Sequence, residues 1–112
     1  MICDRWEVVA VPFPFTDRPG QRRRPAVVLS SRAFNGQTGH TVCAMITSAS
    51  HPAWPDDVEI RDPDSAGLRV PCLVRLKLFT LDKRLIVRRL GKLGDGEREQ
   101  LLESLREHVF GG

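Results

Sequence analysis

The apolar positions of this chain fall into short runs divided by proline, glycine and charge. Glu7-Val8-Val9-Ala10-Val11 has strand length, and Pro12 and Pro14 are expected to stop it. Ala26-Val27-Val28-Leu29-Ser30 is apolar on both faces, which predicts a central strand. Thr41 to Thr47 makes a third run, preceded by Asn35-Gly36 and Thr38-Gly39, which read as turns. Prolines and aspartates between Pro52 and Pro63 break regular structure around a short strand at Val58-Glu59-Ile60. Two more strands are expected around Cys72 to Leu76 and Leu85 to Arg89, with Leu78 to Leu81 pairing or looping between them. After Gly94 the period changes. Leu101, Leu102, Leu105 and Val109 form one stripe at helical spacing, with Asp95 the expected N-cap and Glu97 and Glu99 near the positive end of the dipole.

Five or six strands and one terminal helix, without βαβ alternation, predict an α+β, mostly β fold: a small barrel-like antiparallel sheet closed by a C-terminal helix. A length of 112 residues is one domain, 1–112, with no internal repeat or linker. Hydrophobic residues at 41% and charged residues at 28% argue against disorder and against a coiled coil. No apolar run approaches the ~20 residues of a membrane span. The first residues lack the basic-then-apolar order of a secretory signal, so a cytoplasmic protein is expected. Cys3, Cys43 and Cys72 are odd in number and isolated, which favours small buried apolar residues over a disulfide framework or a Cys-x-x-Cys site.

The net charge of +3 says little, but its distribution says more. Arg18, Arg22, Arg23 and Arg24 lie together with no acid among them, and between Arg69 and Lys92 eight basic residues meet Asp82 alone. The tail reverses, with five acids against Arg98 and Arg106 from Leu93 to His108. A basic body with an acidic terminal helix suits a protein that meets a polyanion on one side; an ordinary solvated surface is the competing reading.

For chemistry, the histidines His40, His51 and His108 are scattered, and no cluster has metal-ligand spacing. Asp56, Asp57, Asp62 and Asp64 lie among prolines and read as turn residues, so neither a metal nor any other cofactor is expected. There is no phosphate loop and no nucleophile elbow. What remains stands at strand ends: Arg24-Pro25, Thr47-Ser48, and Arg75 with Lys77. Guanidinium and hydroxyl are a poor set for acyl transfer and a good one for gripping phosphate.

Taken in order, Val11-Pro12-Phe13-Pro14-Phe15-Thr16-Asp17, Arg24-Pro25-Ala26-Val27-Val28-Leu29-Ser30, Ala44-Met45-Ile46-Thr47-Ser48, Ala66-Gly67-Leu68 and Leu78-Phe79-Thr80-Leu81-Asp82 resemble the MazF/PemK-type toxins of bacterial toxin–antitoxin systems. The resemblance covers about Glu7 to Leu105. It implies an SH3-like barrel with a C-terminal helix, a homodimer, an antitoxin partner with an acidic tail, and a metal-independent endoribonuclease acting on single-stranded RNA. It places the family's essential arginine on Arg24, its essential threonine on Thr47 with Ser48 beside it, and a further arginine of some members on Arg75. Two departures stand out: Trp6-Glu7 replaces the usual Gly-Asp, and Lys77 stands where some members carry a catalytic acid.

In such a reaction the RNA 2′-hydroxyl attacks the adjacent phosphorus, leaving a 2′,3′-cyclic phosphate and a free 5′-hydroxyl. Arg24 is expected to stabilise charge on phosphorus, with Thr47, Ser48 and Arg75 assisting. Which group takes the 2′-proton stays open: arginine holds its own proton too tightly to act as a base, and His51, four residues past Thr47, is either that base or a solvated loop histidine. The loop from Thr16 to Arg23, including Asp17, is expected to lie over the RNA and grip it through Arg22 or Arg23. Phe13 and Phe15 are candidates either for stacking on bases or for the core. Two other activities fit the same barrel: inhibition of DNA gyrase, as in CcdB-like toxins, and nucleic-acid binding without cutting.

Overall fold

The computed structural model describes residues 1–13 and 22–111. The expected grip of Thr16 and Asp17, and Phe15, lie outside them. Six strands, β1 (Glu7–Phe13), β2 (Arg22–Val28), β3 (His40–Ser48), β4 (Val58–Glu59), β5 (Cys72–Asp82) and β6 (Arg88–Lys92), form one sheet in the order β4-β5-β3-β2-β1-β6. All pairings are antiparallel, and the sheet curls into a half-barrel. Two helices accompany it, α1 (Arg32–Thr38) and α2 (Asp95–Leu105). The mostly β expectation holds.

Side chains alternate across the sheet and fill two apolar layers. On one face Val8, Val27, Ala44, Ile46 and Val74 pack with Leu93, Leu101 and Leu105 from the region of α2. On the other, Val9, Val11, Ala26, Val28 and Cys43 pack with Leu81 and Ile86. This explains why the central strands are apolar at consecutive positions. Half of the stripe on α2 does its expected work: Leu101 and Leu105 are buried, while Leu102 and Val109 are exposed.

Several boundaries differ from expectation for definite reasons. Strand β1 runs through Pro12 to Phe13, with Pro12 opposite Arg23. The turn expected at 35–39 is helix α1, because Ser31 Oγ accepts from Phe34 N as an N-cap and Gly39, at φ +70°, ends it in the left-handed region. Leu78 to Leu81 belong to a single eleven-residue strand, β5. After it Lys83–Leu85 make a 3₁₀ turn, and β6 starts only at Arg88. The N-cap of α2 is Gly94, with Asp95 already inside the first turn, and the helix ends in a wider turn over Arg106–Phe110.

Trp6 adopts φ +74°, a conformation that costs a bulky residue free energy. It is held there by hydrogen bonds from its own N–H to Val28 O at 2.7 Å and from Leu93 N–H to its O at 3.0 Å. Its indole packs on the layer beneath α2. Neighbouring Glu7 pairs with Arg89 at 2.9 Å, tying β1 to β6. The three cysteines are free and buried, as expected.

Candidate nucleic-acid interface

Strand pairing puts the candidate residues together. The β2–β3 ladder runs Val28↔Cys43, Val27↔Ala44, Ala26↔Met45 and stops, one residue short of Pro25, which has no N–H to give. The same register carried two residues further sets Arg24 across from Thr47 on one face of the sheet. The strands are free to splay at that end, and a cavity of about 240 Å³ opens there, lined by Arg24, Met45, Ile46 and Thr47.

A bulge brings more charge to it. Ala44 pairs with Leu78 but Ile46 with Val74, so Met45 faces the three residues Arg75, Leu76 and Lys77. Arg75 and Lys77 therefore project from the same face, and both line the cavity with Phe13 and His51. The Phe13 ring lies under two cations, 5.3 Å from the Arg24 guanidinium carbon and 5.9 Å from Lys77 Nζ. Phe13 is thus half-buried at the cleft, where its face supports Arg24.

The two arginines are held very differently. Arg75 donates from Nη2 to Asp57 Oδ2 at 2.8 Å and to Pro52 O at 2.8 Å, and from Nε to Asp57 Oδ1 at 3.2 Å. Its side chain is 11% exposed and that of Asp57 5%, and Trp54 stacks 4.6 Å from the guanidinium. The Asp57 carboxylate holds the Arg75 proton more tightly than usual. Arg75 is neutralised and fixed. Arg24 Nε, by contrast, is buried with no hydrogen-bond partner. An unpaired buried donor is costly, so an acceptor that reached Arg24 Nε from the cavity would be favoured there.

Thr47 Oγ1 lies 2.8 Å from His51 Nδ1, because the turn closed by His51 N–H to Ser48 O folds the imidazole back over the threonine. Ser48, next along the strand, points to the opposite face. Its hydroxyl lies 2.9 Å from Ser50 Oγ, and it lines a second depression of about 450 Å³ with Arg22, Arg23 and Arg24. So Arg24, Thr47, Arg75, Lys77 and His51 meet in one cavity, while Ser48, Arg22 and Arg23 stand at the adjoining one. Asp57 and Trp54, which fix Arg75, were not readable as site residues: an aspartate among prolines looks like a turn.

Among the described residues, Asp56, Glu107 and His108 are the one trio able to offer ligand atoms within 4.8 Å of one another. All three are exposed, and His108 Nε2 is already 2.5 Å from Asp56 Oδ2. None of them lines the cavity.

Over residues 4–109 the sequence matches the family model of PemK-like, MazF-like toxins of type II toxin–antitoxin systems. The chain belongs to that family. Among solved structures, MazF from Deinococcus radiodurans is similar at 26% identity and a TM-score of 0.76, covering 100% of this chain and 99% of that one. A MazE–MazF structure from the same organism matches at 25% identity and a TM-score of 0.76, covering 98% of each chain. The Mycobacterium tuberculosis toxin MazF-mt6 shares the fold at 16% identity and a TM-score of 0.72, covering 90% of this chain and 93% of that one. No curated protein matches the chain in sequence. Among the described residues no helix is long and apolar enough to cross a membrane.

Proposed function

We propose that this PemK/MazF-like toxin is an endoribonuclease that cuts single-stranded RNA by attack of the 2′-hydroxyl on the adjacent phosphorus. One observation carries the reading: a buried, unpaired Arg24 Nε at the wall of a cationic cavity, in register with Thr47. The substrate brings its own nucleophile, so the protein has to hold the backbone in line and stabilise the charge that develops on the phosphorane oxygens. Arg24 supplies that stabilisation, seated on Phe13 and free of any acid among the described residues. Thr47 Oγ1 hydrogen-bonds a phosphate oxygen. His51, through the hydrogen bond at Nδ1, is positioned by Thr47 and takes the 2′-proton. Lys77, without an ion pair among the described residues, adds positive charge, and Arg75 shapes the wall.

The same reading includes a neutralising partner and a second copy of the chain. The similar MazE–MazF structure supports an antitoxin partner. An apolar groove of about 540 Å³, lined by Trp6, Leu29, Leu78, Leu102, Leu105 and Phe110, offers a face for another chain, with Phe110 66% exposed.

The test is a matched pair of substrates, a long single-stranded RNA and a DNA of the same sequence, together with a gyrase supercoiling assay. RNA cut at a few defined sites with the DNA intact and gyrase active is the expected result. Gyrase inhibition without RNA cleavage, or retention of RNA without cutting, overturns the reading.

A further inference from the structure

The larger basic depression lies against the layer that packs under α2, on the face opposite the Thr47 cavity. Its rim carries Arg22, Arg23, Arg69 and Arg88, with Arg24 at the junction. Among the described residues, the side chains of Arg22, Arg23, Arg69 and Arg88 have no ion pair or hydrogen bond. Arg75, Arg84 and Arg89, by contrast, each pair with an acid. Unpaired like charge gathered in one concavity is electrostatically unfavourable by itself and becomes favourable with a polyanion in place.

The backbone builds this concavity. Gly67 has φ +74°, and a Cβ there would come within 2.0 Å of Leu90 O. Lys92 N–H donates to Ser65 O at 3.2 Å. The segment from Ser65 to Val70 is thereby pressed onto β6, which places Arg69 on the same rim as Arg88. Leu68, Ile46 and Leu90 form an apolar floor beneath them.

The two depressions meet where β2 and β3 part company: Arg24 and Ile46 line both. We infer that the groove of Arg22, Arg23, Arg69 and Arg88 is a second phosphate subsite, which takes the RNA strand flanking the cut as it passes around the unpaired end of β2. This inference rests on the ribonuclease reading and extends it to residues outside the reacting centre. Guanidinium forks bind phosphate oxygens through paired hydrogen bonds, and the apolar floor leaves the bases without a required hydrogen-bond pattern. Strand length, not sequence, is what this groove reads.

The experiment uses a fully 2′-O-methylated RNA of about twelve nucleotides, which has no free 2′-hydroxyl, and follows its binding to the full chain by fluorescence anisotropy across a salt series. Each phosphate contact contributes ~0.7 to the slope of log affinity against log salt for a single strand. Arg69→Ala with Arg88→Ala is expected to flatten that slope by about 1.4 and to narrow the gap in affinity between a twelve-nucleotide and a three-nucleotide strand. Arg69→Lys with Arg88→Lys keeps the charge and is expected to keep the slope. An unchanged slope and an unchanged gap in the alanine variant overturn the subsite. So does a loss confined to binding of polyglutamate, which would make the groove a seat for an acidic peptide. The ribonuclease reading fails separately, if unmodified RNA is never cut by the wild-type protein.

Discussion

Arg24 and Thr47 line one cavity just beyond the end of the β2–β3 ladder, whose last pair is Ala26 and Met45. The relationship depends on backbone register, so packing of the central strands holds it in place. A one-residue slip of either strand would turn its side chain to the other face and separate the two. Proline at position 25 has no N–H to extend the ladder, and the cavity opens beyond it.

Arg24 is expected to be the residue whose loss the chemistry feels most. Arg24→Ala is expected to lower single-turnover RNA cleavage by ~10²–10³ while leaving the thermal midpoint close to wild type, because its Nε has no partner to lose. Arg24→Lys is expected to recover little, since a point charge does not reproduce the planar fork. Quench-flow cleavage rates alongside thermal melts check both halves.

Asp57 is expected to matter for stability first. Removing one partner of an ion pair that is 11% and 5% exposed leaves an uncompensated charge in a dry place. Asp57→Ala is expected to cost about 3 kcal/mol in a urea melt, and Asp57→Ala combined with Arg75→Ala to cost less than the sum of the two single changes.

The Thr47–His51 hydrogen bond gives a kinetic signature. His51→Ala is expected to lower single-turnover cleavage while leaving binding of a 2′-O-methylated RNA unchanged, because the imidazole is placed to accept the proton. Thr47→Val is expected to lower the rate too, whereas Thr47→Ser keeps the hydroxyl and most of the activity. A cleavage rate unaltered in His51→Ala removes the histidine from the proton transfer.

Burial pushes the Cys43 thiol up to about 12, and burial raises Cys3 and Cys72 as well. A thiol whose folded value exceeds its unfolded one binds its proton more tightly when folded. The stability it lends is present below about pH 9 and is lost as pH rises from there toward 12. At pH 8 the native protein is therefore expected to show no rapidly reacting thiol toward Ellman's reagent, and three in denaturant.

The strands and the terminal helix were legible because period, proline and glycine mark them locally, whereas Arg24 and Thr47 were brought together only by the family resemblance. Helix α1 was not, since its Ser31 cap and Gly39 stop bracket a polar heptapeptide that looks like turns. The Arg75–Asp57 pair was not either. It joins residues far apart in the chain, and only the fold shows that this arginine is already neutralised. Trp6 was not legible either: nothing in its neighbours marks a tryptophan for φ +74°, a conformation that the hydrogen bonds to Val28 and Leu93 hold in place.

The central claim is that Arg24 and Thr47 act on a phosphate whose own sugar supplies the nucleophile. It is tested most directly by the ends of the fragments formed when the purified chain cuts RNA in excess EDTA. The account predicts 2′,3′-cyclic phosphate and 5′-hydroxyl ends, formed by the wild type and suppressed ~10²-fold or more by Arg24→Ala. Fragments with 5′-phosphate and 3′-hydroxyl ends, or cutting that persists at full rate without Arg24, would contradict it.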